Sequence, residues 1–199
     1  MTIATRTSPI EVVIGKGDVR TIQRGKTWLQ FEYLQKGFEH TRGVKFFYYN
    51  GTIEILISGA AHELFKKIIA ILIEVFLLDR SIEFEPTGSM TQKREGTAAA
   101  EADESYEIQG SKLCVEINFT SGDESKLDCY QELGIDEVWF WEDGVLAVYH
   151  LQSEGYQRVS SSQIPALVSI DLAIMAQCIL IGETSRIEAV EKFRSTHPN

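Results

Sequence analysis

The chain is poor in cysteine. Its three cysteines, Cys114, Cys129 and Cys178, are an odd number at wide spacings, and no CxxC pair or zinc-ligand pattern occurs. This excludes a disulfide framework and a structural zinc site of the usual spacing. We expect three reduced, mostly buried thiols, which fits a reducing cytoplasm.

Positive charge is also scarce. Lysine and arginine number 19 against 29 aspartates and glutamates, and the formal net charge is -10. A protein that coats DNA without sequence preference is basic, because its affinity rests on neutralising phosphates. The composition therefore argues against that class. It does not argue against a metal-dependent nuclease, whose site is itself acidic.

Long uncharged apolar runs are missing as well. The most apolar run, from Leu64 to Leu78, is interrupted by Lys66, Lys67 and Glu74, and it is too short and too charged to span a bilayer. The N-terminus lacks the apolar core of a signal peptide, so we expect a cytoplasmic protein. The length of 199 residues favours one domain, which we place at residues 27–199 after a polar N-terminal surface segment at residues 1–26.

Local patterns predict a mixture of helices and hairpins. Thr27 is expected to cap a short helix, and Asn50-Gly51 between two β-rich runs predicts a type I′ hairpin over residues 44–57. Apolar spacings of three and four predict a long helix from Ala60 to Asp79. Further predictions are a loop at 94–101, a strand at 112–119, a helix at 121–133 ended by Gly134, a strand hairpin at 137–151 and helices at about 170–181 and 184–194. Together they predict an α/β fold with a mixed β-sheet flanked by α-helices.

One stretch carries residues suited to phosphodiester chemistry. Glu116 and Asn118 lie two apart on an alternating strand and share a face. Asp103 lies thirteen residues upstream, far enough for a strand to return beside Glu116, and Lys126 lies ten residues downstream on the next helix. Two carboxylates suit a hard ion such as Mg²⁺, and a lysine beside them can orient water or stabilise a phosphorane.

An acid and a lysine at such a spacing are also typical of a surface ion pair that contributes little stability. One detail favours the functional interpretation. Glu116 interrupts an otherwise apolar strand, and charge is placed there mainly when it is paired or functional.

Three segments resemble the Uma-two family within the PD-(D/E)XK nuclease superfamily: EADESYEIQ (101–109), LCVEINFTSGDESKLDCYQELGIDEVWFWEDGVLAVYHL (113–151) and SRIEAVEKFR (185–194). The resemblance extends over about residues 25–195. It implies a restriction-endonuclease-like core and a Mg²⁺- or Mn²⁺-dependent endonuclease that acts on DNA. Asp103 matches the aspartate of the Pro-Asp motif, Glu116 the acid of the (D/E)XK strand, and Lys126 a lysine on the following helix.

The resemblance further implies that Asp103 and Glu116 bind the metal and that Glu63, on the first core helix, is a fourth catalytic residue. Two positions depart from the pattern. Ala102 replaces the usual proline, and Asn118 stands where nucleases of this type often keep a lysine. The alternative is therefore a catalytically inactive nuclease-fold protein that binds nucleic acid or a protein partner. A structural or interaction protein with only surface carboxylates is a third class.

Several other residues allow two interpretations. His62 could act as a base or reach the site, or it could cap or flank the long helix in solvent. Glu63 could bind metal or simply favour the helix N-terminus. Tyr130 could touch substrate or pack against the stem of Lys126.

Aromatic and basic residues elsewhere are also open to two interpretations. Trp139 and Trp141 could form core or stack on bases. Lys93 and Arg94 could meet a phosphate backbone or form a solvated pair. The aromatic run at residues 46–49 exceeds what a small core needs, which predicts a homodimer.

Overall fold

The computed structural model describes residues 10–15, 17–41, 43–118 and 125–198. Within these ranges the chain forms a mixed α/β fold of two six-stranded sheets and five helices. The first sheet contains β1 (Glu11–Gly15), β2 (Asp18–Arg24), β3 (Val44–Tyr49), β4 (Thr52–Ile57), β6 (Gln92–Arg94) and β7 (Ala98–Ala100). The second contains β5 (Phe84–Pro86), β8 (Glu104–Ile108), β9 (Ser111–Ile117), β10 (Glu137–Glu142), β11 (Val145–Gln152) and β12 (Gly155–Val159). The helices are α1 (Trp28–Gly37), α2 (Ala60–Asp79), α3 (Ser125–Glu132), α4 (Leu172–Gly182) and α5 (Arg186–Thr196).

The first sheet is antiparallel throughout, in the order β1-β2-β4-β3-β7-β6. The hairpin of β3 and β4 confirms the prediction at Asn50-Gly51, where both residues have positive φ (44° and 74°) as a type I′ turn requires. Helix α1 begins after Thr27, whose side chain accepts from the amide of Gln30 in a capping box. It covers the outer face of the hairpin, where Phe31, Phe46 and Tyr48 form a small core.

This sheet contains strands in two places where the sequence did not predict them. In its described part, the expected surface segment at residues 1–26 contributes β1 and β2, which extend the sheet beside β4. The buried positions of β2 include Asp18 and Arg20. The strand therefore lacks the apolar alternation that would have predicted it. The expected loop at residues 94–101 contains β7, which pairs with β3 and β6 and is fully buried.

The second sheet has the order β12-β11-β10-β9-β8-β5. Strands β9 and β10 are parallel and the other neighbours are antiparallel. A parallel pair needs a crossover connection, and α3 lies in it. The start of the predicted helix at residues 121–124 lies outside the described residues. Gly134 ends α3 with a φ of 68°, as expected for a residue that closes a helix.

Alternation along β9 separates an apolar side from a charged side. Val115 and Ile117 belong to the main core with α2, whereas Cys114 packs with residues of α3.

Trp139 and Trp141 are buried in the main core, so their core assignment is confirmed. The three cysteines are free and buried, as expected. Within the described ranges, no helix is both long and apolar enough to cross a membrane.

Candidate active site

Glu116 and Lys126 meet in the interior, on the side of β9 that faces α3. The Lys126 Nζ donates to Glu116 Oε2 at 2.9 Å, and the hydroxyl of Tyr130 donates to Glu116 Oε1. Lys126 and Tyr130 are four residues apart on α3, so they share one helix face. All three side chains are buried, Glu116 to 2% exposure. Tyr130 therefore holds the carboxylate and does more than pack against the lysine stem.

The charges of this group are set by its burial and its partners. Burial disfavours the ammonium of Lys126, but the carboxylates of Glu116 and Glu54 outweigh that cost, so the pKa of Lys126 is raised above its ordinary value. The Asp103 carboxylate contributes in the same direction. Burial and the charge of Glu116 raise the pKa of Tyr130 well above its ordinary value. Lys126 is thus a fixed cation and Tyr130 a fixed hydroxyl donor at neutral pH.

Asp103 lies next to Glu116 across the hairpin of β8 and β9. Glu104 pairs with Val115 in the strand register, and the amide of Asp103 donates to the Val115 carbonyl at 3.0 Å. The Asp103 Oδ2 accepts from the amide of Ile117 at 2.6 Å. The Asp103 carboxylate is therefore held by the backbone amide of the residue that follows Glu116.

The other oxygen of Asp103 is held by two side chains. Its Oδ1 accepts from the ammonium of Lys45 on β3 and lies 2.7 Å from His62 Nε2. Burial works against ionisation of Asp103, but the charges and hydrogen bonds of Lys45 and His62 outweigh it and lower the pKa of the carboxyl. Asp103 is ionised throughout the neutral range.

His62 is completely buried at the start of α2. Its Nδ1 lies 2.8 Å from Asp18 Oδ2 on β2, so each ring nitrogen contacts a carboxylate. Burial lowers the pKa of His62, but the hydrogen bonds to Asp103 and Asp18 outweigh it and raise the pKa to about 9. The residue is a charged donor that orients Asp103. The expectation of a solvated or capping histidine was wrong, and a charged imidazolium with both nitrogens engaged is no general base.

A second layer of charge comes from the first sheet. Glu54 on β4 lies 3.6 Å from Lys126 Nζ through its Oε1, and its Oε2 accepts from Arg20 on β2 at 2.5 Å. Among the described residues, the cluster thus combines four carboxylates and four cationic side chains. They are Asp18, Glu54, Asp103 and Glu116, with Arg20, Lys45, His62 and Lys126.

Glu63 is the one predicted catalytic residue that the structure places elsewhere. Its side chain is 48% exposed and lies 3.9 Å from Lys66 on the same helix. Successive helical residues point about 100° apart, so only one of the two neighbours His62 and Glu63 can face the cluster. Helix α2 contributes His62 to the cluster and leaves Glu63 in solvent.

Asn118 lies just beyond β9 and is 8% exposed. Its backbone amide donates to the Trp141 carbonyl at 2.8 Å, while its side-chain Nδ2 has no hydrogen-bond partner among the residues that the structure describes. A buried amide without a partner is unusual and calls for an explanation. Turning the amide by 180° would present its oxygen instead, which is a possible metal ligand.

The charged groups line a very small cavity between the sheets. Its volume is about 10 Å³, and its polar walls are formed by Lys45, Glu54, Glu101, Glu116 and Lys126. That is roughly room for one water molecule. In the part of the chain that is described, no three histidine, cysteine, aspartate or glutamate side chains are grouped as metal ligands.

Four members of the cluster were missed from the sequence: Asp18, Arg20, Lys45 and Glu54. For two of these four residues, the sequence contains a pattern that could have identified them. Lys45 is a charge inside the apolar run at residues 44–49, and Glu54 is a charge inside the run at residues 52–57. The argument that singled out Glu116 applies equally to both.

The remaining candidates lie outside the cluster. Lys93 donates to Gln35, and Arg94 pairs with Glu132, both at exposed positions of β6. They form local polar contacts and belong to a strand, not to the expected loop. Neither contact brings a basic side chain to Asp103 or Glu116.

No protein-family model matches the chain, and no curated protein matches it significantly in sequence.

Proposed function

We propose that the protein is a Mg²⁺- or Mn²⁺-dependent nuclease of restriction-endonuclease-like, Uma-two type that hydrolyses phosphodiester bonds in DNA. The observation that carries the proposal is the convergence of Asp103, Glu116 and Lys126. These residues are spread over 24 positions, yet they occupy one buried cluster on the β8–β9 hairpin and the following helix. The succession of α2, this hairpin, α3 and a parallel β10 supports a restriction-endonuclease-like core.

The donor set fits a hard divalent ion. Carboxylate oxygens are the ligands that Mg²⁺ prefers, and one or two protein carboxylates suffice because the ion keeps several waters. Asp103 and Glu116 would hold it. Asn118 lies two residues beyond Glu116, and its buried side-chain amide has no hydrogen-bond partner among the described residues. When bound, such an ion supplies Lewis acidity and a nucleophilic water at neutral pH.

The protein's own groups have distinct roles in this proposal. Lys126 stays charged and can stabilise the negative charge that develops on a phosphorane. Tyr130 donates to Glu116 and keeps its carboxylate in one orientation. His62 and the amide of Ile117 do the same for Asp103 from opposite sides. Such support by neighbouring hydrogen bonds is what an oriented ligand set requires.

The test is metal-dependent cleavage by matched variants. Wild type, Glu116→Gln and Glu107→Gln are incubated with plasmid DNA, single-stranded DNA and RNA, with Mg²⁺ or Mn²⁺ and with chelator. Glutamine is chosen because it keeps the size of the glutamate side chain, whereas alanine would leave a space beside Lys126. Glu107→Gln is the control because Glu107 is an exposed acid on β8. We expect DNA cleavage only with metal, at least about 100-fold slower for Glu116→Gln and unchanged for Glu107→Gln. Folding of each variant is checked by circular dichroism. Absence of cleavage in wild type, or equal cleavage by Glu116→Gln, would refute the proposal.

A second candidate is a catalytically inactive protein with the same fold that binds nucleic acid or a protein partner. The observation that favours it is the saturation of both carboxylates, since every oxygen of Asp103 and Glu116 already accepts a hydrogen bond from the chain. Calorimetric titration with Mn²⁺ separates the candidates. The nuclease predicts a saturable site, and the inactive protein predicts heat no greater than buffer dilution.

The homodimer and the cytoplasmic location remain predictions. The argument for a dimer from the aromatic hairpin is weakened, because Phe46 and Tyr48 are buried beneath α1 while Phe47 and Tyr49 pack against residues of the second core cluster. Sedimentation velocity over a range of protein concentrations measures the oligomeric state directly.

A further inference from the structure

Three donors hold the carboxylate of Asp103, and they differ in how easily they can leave. The amide of Ile117 belongs to the backbone of a central strand and cannot move without breaking β9. The ring of His62 is completely buried and held at its other nitrogen by Asp18. Of the three, only Lys45 reaches Asp103 through a long chain of rotatable bonds.

Lys45 also lies on the wall of the small cavity that it shares with Glu116 and Lys126. The cavity has a volume of about 10 Å³, which is too small for an ion that keeps several waters. Glu116 lines this cavity and Asp103 does not, so a metal ion held by both carboxylates needs more room than the cavity offers with Lys45 in place. Movement of the Lys45 side chain is the rearrangement that would leave both sheets intact.

The charges of the cluster also favour movement of Lys45 when a metal ion binds. Lys45 and Lys126 both lie on the wall of the cavity, where Glu54, Glu101 and Glu116 are the carboxylates among the described residues. A divalent ion would therefore enter beside two ammonium groups. Opposite charges attract strongly at low dielectric constant, and like charges repel equally strongly. Withdrawal of Lys45 from Asp103 removes part of that repulsion and frees one lone pair of Oδ1, while His62 keeps its contact with the same oxygen.

We propose that Lys45 is an internal counter-cation that occupies the metal-facing oxygen of Asp103 and that a divalent ion must displace it in order to bind. Lys45 is then a positioning residue that competes with the metal and pairs with Asp103 in the metal-free protein. The inference rests on the proposed metal-dependent function and adds a residue that sets its metal affinity.

The experiment is isothermal titration of MnCl₂ into wild type and four variants at one fixed pH. Lys45→Met removes the charge and keeps the length of the side chain. Lys45→Gln also removes the charge but keeps a hydrogen-bond donor, which guards against a folding defect of the methionine variant. Lys45→Arg keeps the charge. Lys112→Met removes an exposed lysine at the far end of β9 and controls for the net charge.

We expect Lys45→Met and Lys45→Gln to bind Mn²⁺ about tenfold more tightly than wild type, which is about 1.4 kcal/mol. Lys45→Arg and Lys112→Met should bind like wild type. The thermal melting shift on adding MnCl₂ should follow the same order. Binding to wild type with no gain in either uncharged Lys45 variant would overturn the inference and leave the metal-dependent function standing. Absence of Mn²⁺ binding in wild type and in every variant would overturn both.

Discussion

His62 Nε2 and Asp103 Oδ1 lie 2.7 Å apart in the protein interior, although 41 residues separate them in the sequence. The contact joins the first turn of α2 to the start of β8. It is extended by Asp18 on β2, which contacts the other ring nitrogen. The N-terminal hairpin, the long helix and the β8–β9 hairpin are thus joined through one charged imidazole.

The charge of His62 predicts a loss of stability at alkaline pH. Its folded pKa is raised from 6.5 to about 9, so its contribution is fully present below about pH 6.5 and is lost as pH rises through about 9. The shift corresponds to about 3 kcal/mol. The pKa of Asp103 is lowered, so the contribution of Asp103 stays constant over this window and is lost only in acid. Urea unfolding of wild type at about pH 6 and about pH 9.5 measures the difference.

The matched control for this prediction is His62→Gln, which lacks the titrating ring. It should be less stable than wild type at about pH 6 and should show a smaller loss on going to about pH 9.5. Identical losses in both proteins would contradict the assignment of the alkaline transition to His62.

A second prediction concerns the electrostatic influence of Asp103 on His62. Asp103→Asn removes one of the two carboxylates that hold the imidazolium, so the pKa of His62 should fall from about 9 toward 6.5. Titration of the histidine ring signals by NMR measures it. The control is Asp79→Asn, which removes an acid paired with Arg194 on α5 and should leave the pKa of His62 unchanged. Equal effects of the two substitutions would show that the shift does not come from direct contact.

The pair of Glu116 and Lys126 should behave as a buried ion pair in a double-mutant cycle. Glu116→Gln or Lys126→Met alone leaves a buried charge without its nearest oppositely charged partner and should cost about 3 kcal/mol of unfolding free energy. The double variant should cost clearly less than the sum. The exposed pair of Arg94 and Glu132 is the comparison, with an expected coupling below about 1 kcal/mol. Additive costs at Glu116 and Lys126 would contradict the direct contact.

Gly59 precedes α2 and packs against Gly17, and this close approach brings Asp18 to His62. A Cβ at position 59 would lie 2.7 Å from the Gly17 carbonyl carbon, and the Gly59 amide donates to Asp18 Oδ1 at 2.6 Å. We expect Gly59→Ala to cost about 1–3 kcal/mol by displacing the N-terminal hairpin. In the control, Gly37→Ala at the end of α1, the added Cβ meets no atom of the described residues within 4 Å and should be neutral or slightly stabilising. Thermal unfolding of both variants measures the contrast.

Much of the fold was predictable because its signals are local. Asn50-Gly51 specified the turn between β3 and β4, and the apolar spacing of α2 matched the observed helix from Ala60 to Asp79. The last two helices begin about two residues later than predicted. Strands β2 and β7 were missed for physical reasons. The inward positions of β2 include Asp18 and Arg20, and β7 is three alanines whose burial comes entirely from neighbouring elements.

The candidate site, like the fold, was only partly predictable from the sequence. The alternation of β9 singled out Glu116, and the spacings to Asp103 and Lys126 suggested that they could approach it. The catalytic roles of all three residues came from the family resemblance and remain a prediction. The sequence by itself determined the periodic elements and the presence of a charge on an apolar strand. Only the tertiary structure decided which groups are in contact. Lys45 and His62 contact Asp103, and Asp18 contacts the other side of His62. Tyr130 contacts Glu116, and Glu54 lies beside Lys126. The reason is that a buried charge is tolerated only where opposite charges and donors surround it, and elements distant in sequence supply them only after they pack.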